Sequence, residues 1–346
     1  MRFGLGPFAA EQAGNISWME AYEIVGEAAR QADSTGFDSV WVAERQFSAD
    51  GYCPQPFIAA ANIAAKTESV KIGVLPIAGL THPLYLAEDA VVLDNLSGGR
   101  AIVVPINAAS HERLAYGITE DDYQERYRET IEVLLKAWAP KAFRHEGKHW
   151  TIPAGLPEHT PIPSGTVLVQ PQPAQFELPL LIGGFWAYGR SLAAEMGLPM
   201  VLGAISDNDA LNSLWSDYDA VAPAAARRPK MLIRDVYVSA NDDPLSEVAD
   251  MASYQFKRYS EWGMWQGDPA DVTGLSKSSL IVGNPEQVIE QIAALDSVNG
   301  LDHLICRMHF PGMPLHQLLA SMSLFSREVI PEFRMPDLPK QIRRGI

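Results

Sequence analysis

Residues 70–106, VKIGVLPIAGLTHPLYLAEDAVVLDNLSGGRAIVVPI, read as a strand, a helix and a second strand in immediate succession. The ends, 70–77 and 100–106, are short apolar runs, while 83–96 repeats apolar residues at helical spacing. Such a unit is the building block of a parallel sheet. Working outward, the alternation recurs: apolar runs at 2–9, 38–43, 178–183, 199–204, 231–239 and 301–309 add further strands. Helical stretches lie at 17–35, 56–67, 123–138, 186–197, 207–222, 243–262, 285–296 and 314–329. Eight strands alternating with helices predict an α/β chain of the (β/α)8 TIM-barrel class. An open doubly wound sheet usually carries G-x-G-x-x-G in its first βα turn. Here Gly4-Leu5-Gly6 runs into Pro7-Phe8 with no third glycine at that offset.

Helix 17–35 shows the local logic. Ser17 is placed to cap its start, Glu20 completes a capping box, and Gly36 stops it. Ile24, Ala28 and Ala32 recur every four residues, giving a face to lay on a sheet. Two stretches rich in Pro, Gly or Ser break the alternation, 140–176 and 263–282. Both read as insertions on one barrel spanning 1–346, because strands on either side are needed to close it.

The chain has 346 residues, 47% of them hydrophobic and 20% charged, inside the globular norm. Its 27 Lys and Arg against 42 Asp and Glu give a net charge of −15. That argues against a nucleic-acid face or an anionic-lipid surface, and the basic tail residues Lys340, Arg343 and Arg344 read as solvation. No stretch approaches the ~20 apolar residues of a membrane helix. The start lacks a signal peptide's apolar run, so a cytoplasmic protein is expected. Two cysteines, Cys53 and Cys306, cannot build a disulfide framework or zinc cluster, and the eight histidines lack metal-ligand spacing. No metal is expected. No G-x-S-x-G elbow is present either.

Residues 36–47, GFDSVWVAERQF, and 72–100, with their x-H-P turn, A-E-D and L-D-N-L-S-G-G-R, resemble the bacterial-luciferase-like flavin monooxygenases. FRHEGKHW at 143–150, LIGG at 181–184, AAEMGLPM at 193–200, VGNPEQVIEQI at 282–292 and SMSLFSREVIPEF at 321–333 keep the family's order. The resemblance covers roughly 2–334. It implies a TIM barrel that binds reduced FMN from a separate reductase and uses O2 to oxygenate a small organic substrate.

Barrel chemistry sits where strands end and βα loops begin. Gly183-Gly184 followed by Phe185, Trp186, Ala187, Tyr188 and Arg190 forms a strand-to-helix turn. Backbone N–H groups at a helix start suit the FMN phosphate, and Arg190 would add charge; a tight turn alone is the plainer role. Asn107 stands where relatives carry Arg or Asn at the flavin, although an Asn also caps turns. Leu75-Pro76 aligns with a cis peptide beneath the flavin in relatives. An X–Pro bond lowers the cost of cis from ~2.5–4 to ~0.5–1 kcal/mol, so a cis Leu75–Pro76 bond is expected.

Arg45 replaces a histidine that the resemblance makes a catalytic acid/base. Arg stays protonated, so it cannot act as a base, but it can stabilise developing negative charge on oxygen or hold a carbonyl or anionic substrate. Its plainer role is an ion pair with Glu44 or another acid at the barrel mouth. His309, ending the last strand, is the other catalytic candidate, with an ordinary pKa near 6.5. His82 reads as a loop-ordering residue, and His145 and His149 as decoration of a hairpin. Phe8, Phe47, Phe185, Trp186, Trp262 and Trp265 would line an apolar mouth if their loops converge. They favour a mostly apolar substrate, carbonyl compounds among the candidates. Ala-rich 56–66 and 83–96 match the helices through which the family pairs, so a two-fold homodimer is expected. Two rivals stand beside the oxygenase: an F420-dependent hydride-transfer enzyme, and a flavin-binding protein without turnover.

Overall fold

The computed structural model describes residues 1–9, 16–155, 165–223 and 229–334. Eleven strands occur among them: β1 Arg2–Phe8, β2 Ser39–Ala43, β3 Lys71–Leu75, β4 Ala101–Val103, β5 His145–Glu146, β6 Thr151–Ile152, β7 Ile182–Gly183, β8 Met200–Leu202, β9 Met231–Val238, β10 Leu280–Gly283 and β11 His303–Arg307. The helices are α1 Trp18–Ser34, α2 Pro56–Lys66, α3 Pro83–Leu96, α4 Ser110–Ala115, α5 Glu120–Ala137, α6 Ala187–Met196, α7 Asn208–Val221, α8 Pro244–Glu261, α9 Val272–Ser278, α10 Pro285–Asn299, α11 Leu315–Leu324 and α12 Ile330–Arg334. A π-helical turn, Phe325–Val329, joins the last two. The basic tail, Lys340 to Arg344, lies outside the described residues. None of the described helices is long and apolar enough to cross a membrane.

The parallel strands run in the order β4-β3-β2-β1-β11-β9-β8-β7, a curled sheet with helices on the chain's return paths. At the far ends of that path, Val103 N–H donates to Pro179 O at 2.9 Å, Leu181 N–H to Val103 O at 2.9 Å, and Gly183 N–H to Pro105 O at 3.0 Å. β10 pairs with β9 outside the path. The stretch 263–282 is therefore not wholly an inserted loop: it carries α9 and the first residues of a sheet strand. The stretch 140–176 holds the β5–β6 hairpin, whose register pairs His145 with Ile152. A short α4, absent from the sequence reading, precedes α5.

Local rules account for the frame. Ser17 and Glu20 form the expected capping box, and α1 buries Ile24, Ala28 and Ala32 against the sheet. Gly73 in β3 is demanded by packing, because a Cβ there would fall 1.8 Å from the ring of fully buried Trp41. The LSGGR stretch ends in a structural latch. Buried Arg100 donates to Ser97 O, to Thr67 O and Oγ1, to Val70 O and to Ala64 O, tying the end of α2 to the starts of β3 and β4. The carbonyls of Ala64, Thr67 and Ser97, at the ends of α2 and α3, thereby gain donors.

The expectation of a cis Leu75–Pro76 bond is overturned: the cis peptide bonds among the described residues are Gly6–Pro7, Ile152–Pro153 and Gln170–Pro171. The strand simply continues in trans past the proline. Pro76 O accepts from Ile106 N–H at 2.8 Å, and Ile77 bridges Ile106 in parallel. A proline without N–H fits because only its carbonyl is used there.

Candidate functional site

The C-terminal ends of the strands surround one cavity. Ala43 ends β2 and Glu44 and Arg45 follow it, Leu75 ends β3, Ile106 follows β4, Phe185 follows β7, and Gly203, Ala204 and Ile205 follow β8. Ile233 of β9 and Arg307 of β11 complete the walls. Tyr259, Trp262 and Met264, from the end of α8 and the turn after it, contribute the remaining side. The lining is mostly apolar, with two guanidiniums and one carboxyl set into it.

Arg45 is buried, at 5% exposure. Its Nη1 donates to Asn107 O at 3.0 Å and lies 3.7 Å from Glu112 Oε2; its Nη2 reaches Met264 Sδ at 3.6 Å. The guanidinium also lies over the Trp262 ring, 5.8 Å from its centre. Glu112, the buried counterion, comes from α4 and already accepts from Gln46 N–H at 2.7 Å and from Ala109 N–H. The ion pair anticipated for Arg45 thus exists, but with Glu112 rather than Glu44.

Glu44 is held separately. Oε2 accepts from Ile77 N–H at 2.8 Å and Oε1 from the Gln46 amide at 2.6 Å. Burial, reinforced by the charge of Glu112, pushes its carboxyl up to about 7, against the pull of Ile77, Gln46 and Arg45. Desolvation outweighs those partners because the charged form loses more water than two donors return.

Across the cavity, Arg307 pairs with fully buried Asp235 and donates to Tyr259 OH. Burial raises the Asp235 carboxyl, while Arg307 holds it down. Arg258, one residue before Tyr259, binds Asp50 at 2.7 Å and stacks on Trp262 at 4.8 Å and Tyr52 at 5.3 Å. This fastens the end of α8 to the loop after β2.

At β7, the N–H groups of Gly183 and Gly184 are taken by Pro105 O and Val201 O, so they are ladder groups rather than free donors. The α6 start lies just beyond. Trp186 occupies its N-cap without a side-chain cap, which leaves the first N–H groups open as at any helix start. Arg190 Nη1 donates back to Gly184 O at 3.2 Å. The Trp186 ring packs with Tyr123, Tyr127 and Tyr188, and its buried Nε1 has no hydrogen-bond partner. Asn107 Oδ1 is likewise buried without one.

Of the residues singled out from sequence, Arg45, Leu75 and Phe185 line the cavity, and Asn107 touches it through Arg45. Pro76 serves the sheet; Gly184, Trp186, Ala187, Tyr188 and Arg190 surround the α6 start. His309 does not reach the cavity, contrary to expectation. Its ring sits near Phe8, 5% exposed, with Nε2 unpartnered, and burial pushes it down to about 4. β11 ends at Arg307, two residues before His309. Of the six aromatics, Phe185 and Trp262 line the cavity, while Phe8 is core, Phe47 is 63% exposed and Trp265 packs on Phe256. His82 caps α3 by accepting from Leu84 N–H, and His145 and His149 stand at the β5–β6 hairpin, facing Glu129 and Glu125. Sequence reasoning passed over Arg307 and Tyr259. An arginine inside an apolar strand was the available signal, since it stays buried only when paired.

A sequence model of the family described as luciferase-like monooxygenase matches residues 1–300. The chain is 27% identical to the 3,6-diketocamphane 1,6-monooxygenase of Pseudomonas putida, over 90% of this chain and 92% of that protein. It is 22% identical to the oxygenase component of the flavin-dependent trigonelline monooxygenase of Acinetobacter baylyi, over 96% of each. The oxygenating constituent of 3,6-diketocamphane monooxygenase from Pseudomonas putida, solved in complex with FMN, superposes with a TM-score of 0.78 at 24% identity, over 96% of this chain and 98% of that one. An F420-dependent secondary alcohol dehydrogenase shares the fold at a TM-score of 0.70 and 18% identity, over 96% and 99%.

Proposed function

We propose that this chain, which belongs to the luciferase-like monooxygenase family, uses reduced FMN and O2 to oxygenate a small, mostly apolar organic substrate. It is an enzyme; the flavin's redox state, its delivery by a separate reductase and the substrate class are our reading. We read the sheet as closing into a (β/α)8 barrel, with 1–346 as one domain. The observation that carries the function is the apolar cavity at the strand ends, with the Arg45 guanidinium buried in its wall.

The residues fit a flavin. Two buried polar atoms, Asn107 Oδ1 and Trp186 Nε1, lack partners, and the open N–H groups at the α6 start suit a phosphate. Leu75, Pro76 and Asn107 would hold the ring; Gly184 to Tyr188, with Arg190, would hold the phosphate end. Reduced FMN, when bound, supplies the electrons that let O2 give one oxygen atom to the substrate. Arg45 stabilises negative charge developing on oxygen, which its permanent charge and planar fork suit. Leu75, Ile106, Phe185, Ile233 and Trp262 keep water out, which strengthens that electrostatic effect.

The exposed apolar side chains Ile58 on α2 and Tyr85, Val92 and Leu96 on α3 support a homodimer through these helices. Anaerobic titration with FMN, reduced FMN and F420, followed by aerobic mixing under labelled O2, tests the function. Tighter binding of reduced than oxidised FMN and label in the product are expected. Micromolar F420 affinity with no FMN binding would overturn the reading.

A further inference from the structure

Oxygen transfer requires a proton to move, and neither residue nominated from the sequence can move it. Arg45 stays charged, and His309 lies off the cavity wall. Resting on the oxygenase reading above, we propose that Glu44 is the catalytic acid/base of this cavity.

Its position is fixed on three sides. Glu44 N–H donates to Leu75 O at 3.0 Å, and its two carboxyl oxygens accept from Ile77 N–H and the Gln46 amide. The Gln46 amide is itself anchored on Pro54 O at 2.8 Å. Two donors leave lone pairs free on the carboxyl, so one oxygen can carry a proton without losing its anchor. The groups facing it are Arg45 beside it, Glu112 from α4, Tyr52 and Cys53 from the loop after β2, Tyr259 from α8 and Arg307 from β11. The arginines do not release protons at working pH, Tyr259 OH is engaged by Arg307, and burial pushes the Cys53 thiol up to about 12. Among the described residues, Glu44 is the only carboxyl in the lining. Burial supports the assignment by setting its titration near neutrality, where an acid/base works best.

In the step, the Glu44 O–H bond breaks and the proton passes to the oxygen that carries negative charge. The bonding pair stays on the carboxylate, which Ile77 N–H and the Gln46 amide hold, and water returns the proton afterwards.

Glu44→Gln cannot titrate; it keeps the shape and one anchor, its amide oxygen accepting from Ile77 N–H, while its NH2 faces the Gln46 amide. Reduced FMN is titrated first into wild type and variant. Equal affinity isolates the role of Glu44, whereas no binding to either overturns the oxygenase reading and this proposal with it. On the ligand-free protein, pH-difference infrared spectra should show a protonated-carboxyl band titrating near pH 7 that Glu44→Gln removes. Turnover should fall by about 10²–10⁴, and the ionisation near neutrality should vanish from the rate profile. Glu44→Asp should retain both band and ionisation. A band that Glu44→Gln leaves intact, or wild-type turnover with an unchanged pH profile, would overturn the assignment.

Discussion

Replacing His309 with Asn should flatten part of the protein's response to acid. The folded value of about 4 lies below the ordinary 6.5, because burial disfavours the imidazolium and Arg307 adds repulsion. The unfolded chain therefore takes up a proton more readily than the folded one. The stability this histidine contributes is complete above pH 6.5, shrinks as pH falls, and is gone near pH 4. At 1.36 kcal/mol per pH unit, the gap between 6.5 and about 4 amounts to about 3 kcal/mol, a large share of a typical 5–15 kcal/mol. His303, also lowered to about 4 by burial, acts in the same sense. Glu44, raised to about 7, acts oppositely, its contribution being lost as pH rises from 4.5 to 7. Both are common to wild type and variant and cancel in the comparison. Urea unfolding followed by circular dichroism, at steps from pH 7.5 to 4.5, measures the difference. His309→Asn should carry a constant packing cost at high pH. Its deficit should then close by about 1.4 kcal/mol per pH unit below 6. A deficit that stays constant across the range would refute the reasoning.

Two further outcomes follow from packing. Gly73→Ala should cost at least 1–3 kcal/mol, because the new methyl meets the immobile Trp41 ring; a melting temperature equal to wild type would contradict this. Arg307→Met should destabilise by about 3–5 kcal/mol by leaving Asp235 buried and unpaired. Adding Asp235→Leu should recover most of that loss in chemical denaturation, and failure to recover would mean the pair is not the cause.

Residues whose environment is local were legible. The Ser17–Glu20 capping box and the Ile24, Ala28, Ala32 face depend on neighbours within one helix, and the structure has both. The βαβ alternation placed the sheet strands to within a few residues for the same reason. β10 was missed because four apolar residues between Ser279 and Asn284 become a strand only through pairing with β9. His309 was read as ending the last strand because the apolar run continues to it, whereas β11 stops at Arg307 and His309 is not among the cavity's lining residues. Glu44 was noticed only as an ion-pair partner. Its perturbed carboxyl arises from burial and from Glu112, which sequence distance hides. Pro76 shows the limit of analogy: aligned position did not determine its peptide isomer.

The fastening of α8 by Arg258 and Asp50 bears on how such a protein changes during evolution. Tyr259, Trp262 and Met264 stand on one continuous stretch of chain, fastened beside them by the Arg258–Asp50 ion pair, while Leu75 and Ile233 belong to sheet strands and Ile106 follows one. Substitutions in that stretch can reshape the pocket without touching strand pairing. Selection for a new substrate therefore has a short, contiguous target, and a laboratory library confined to those three positions would sample it.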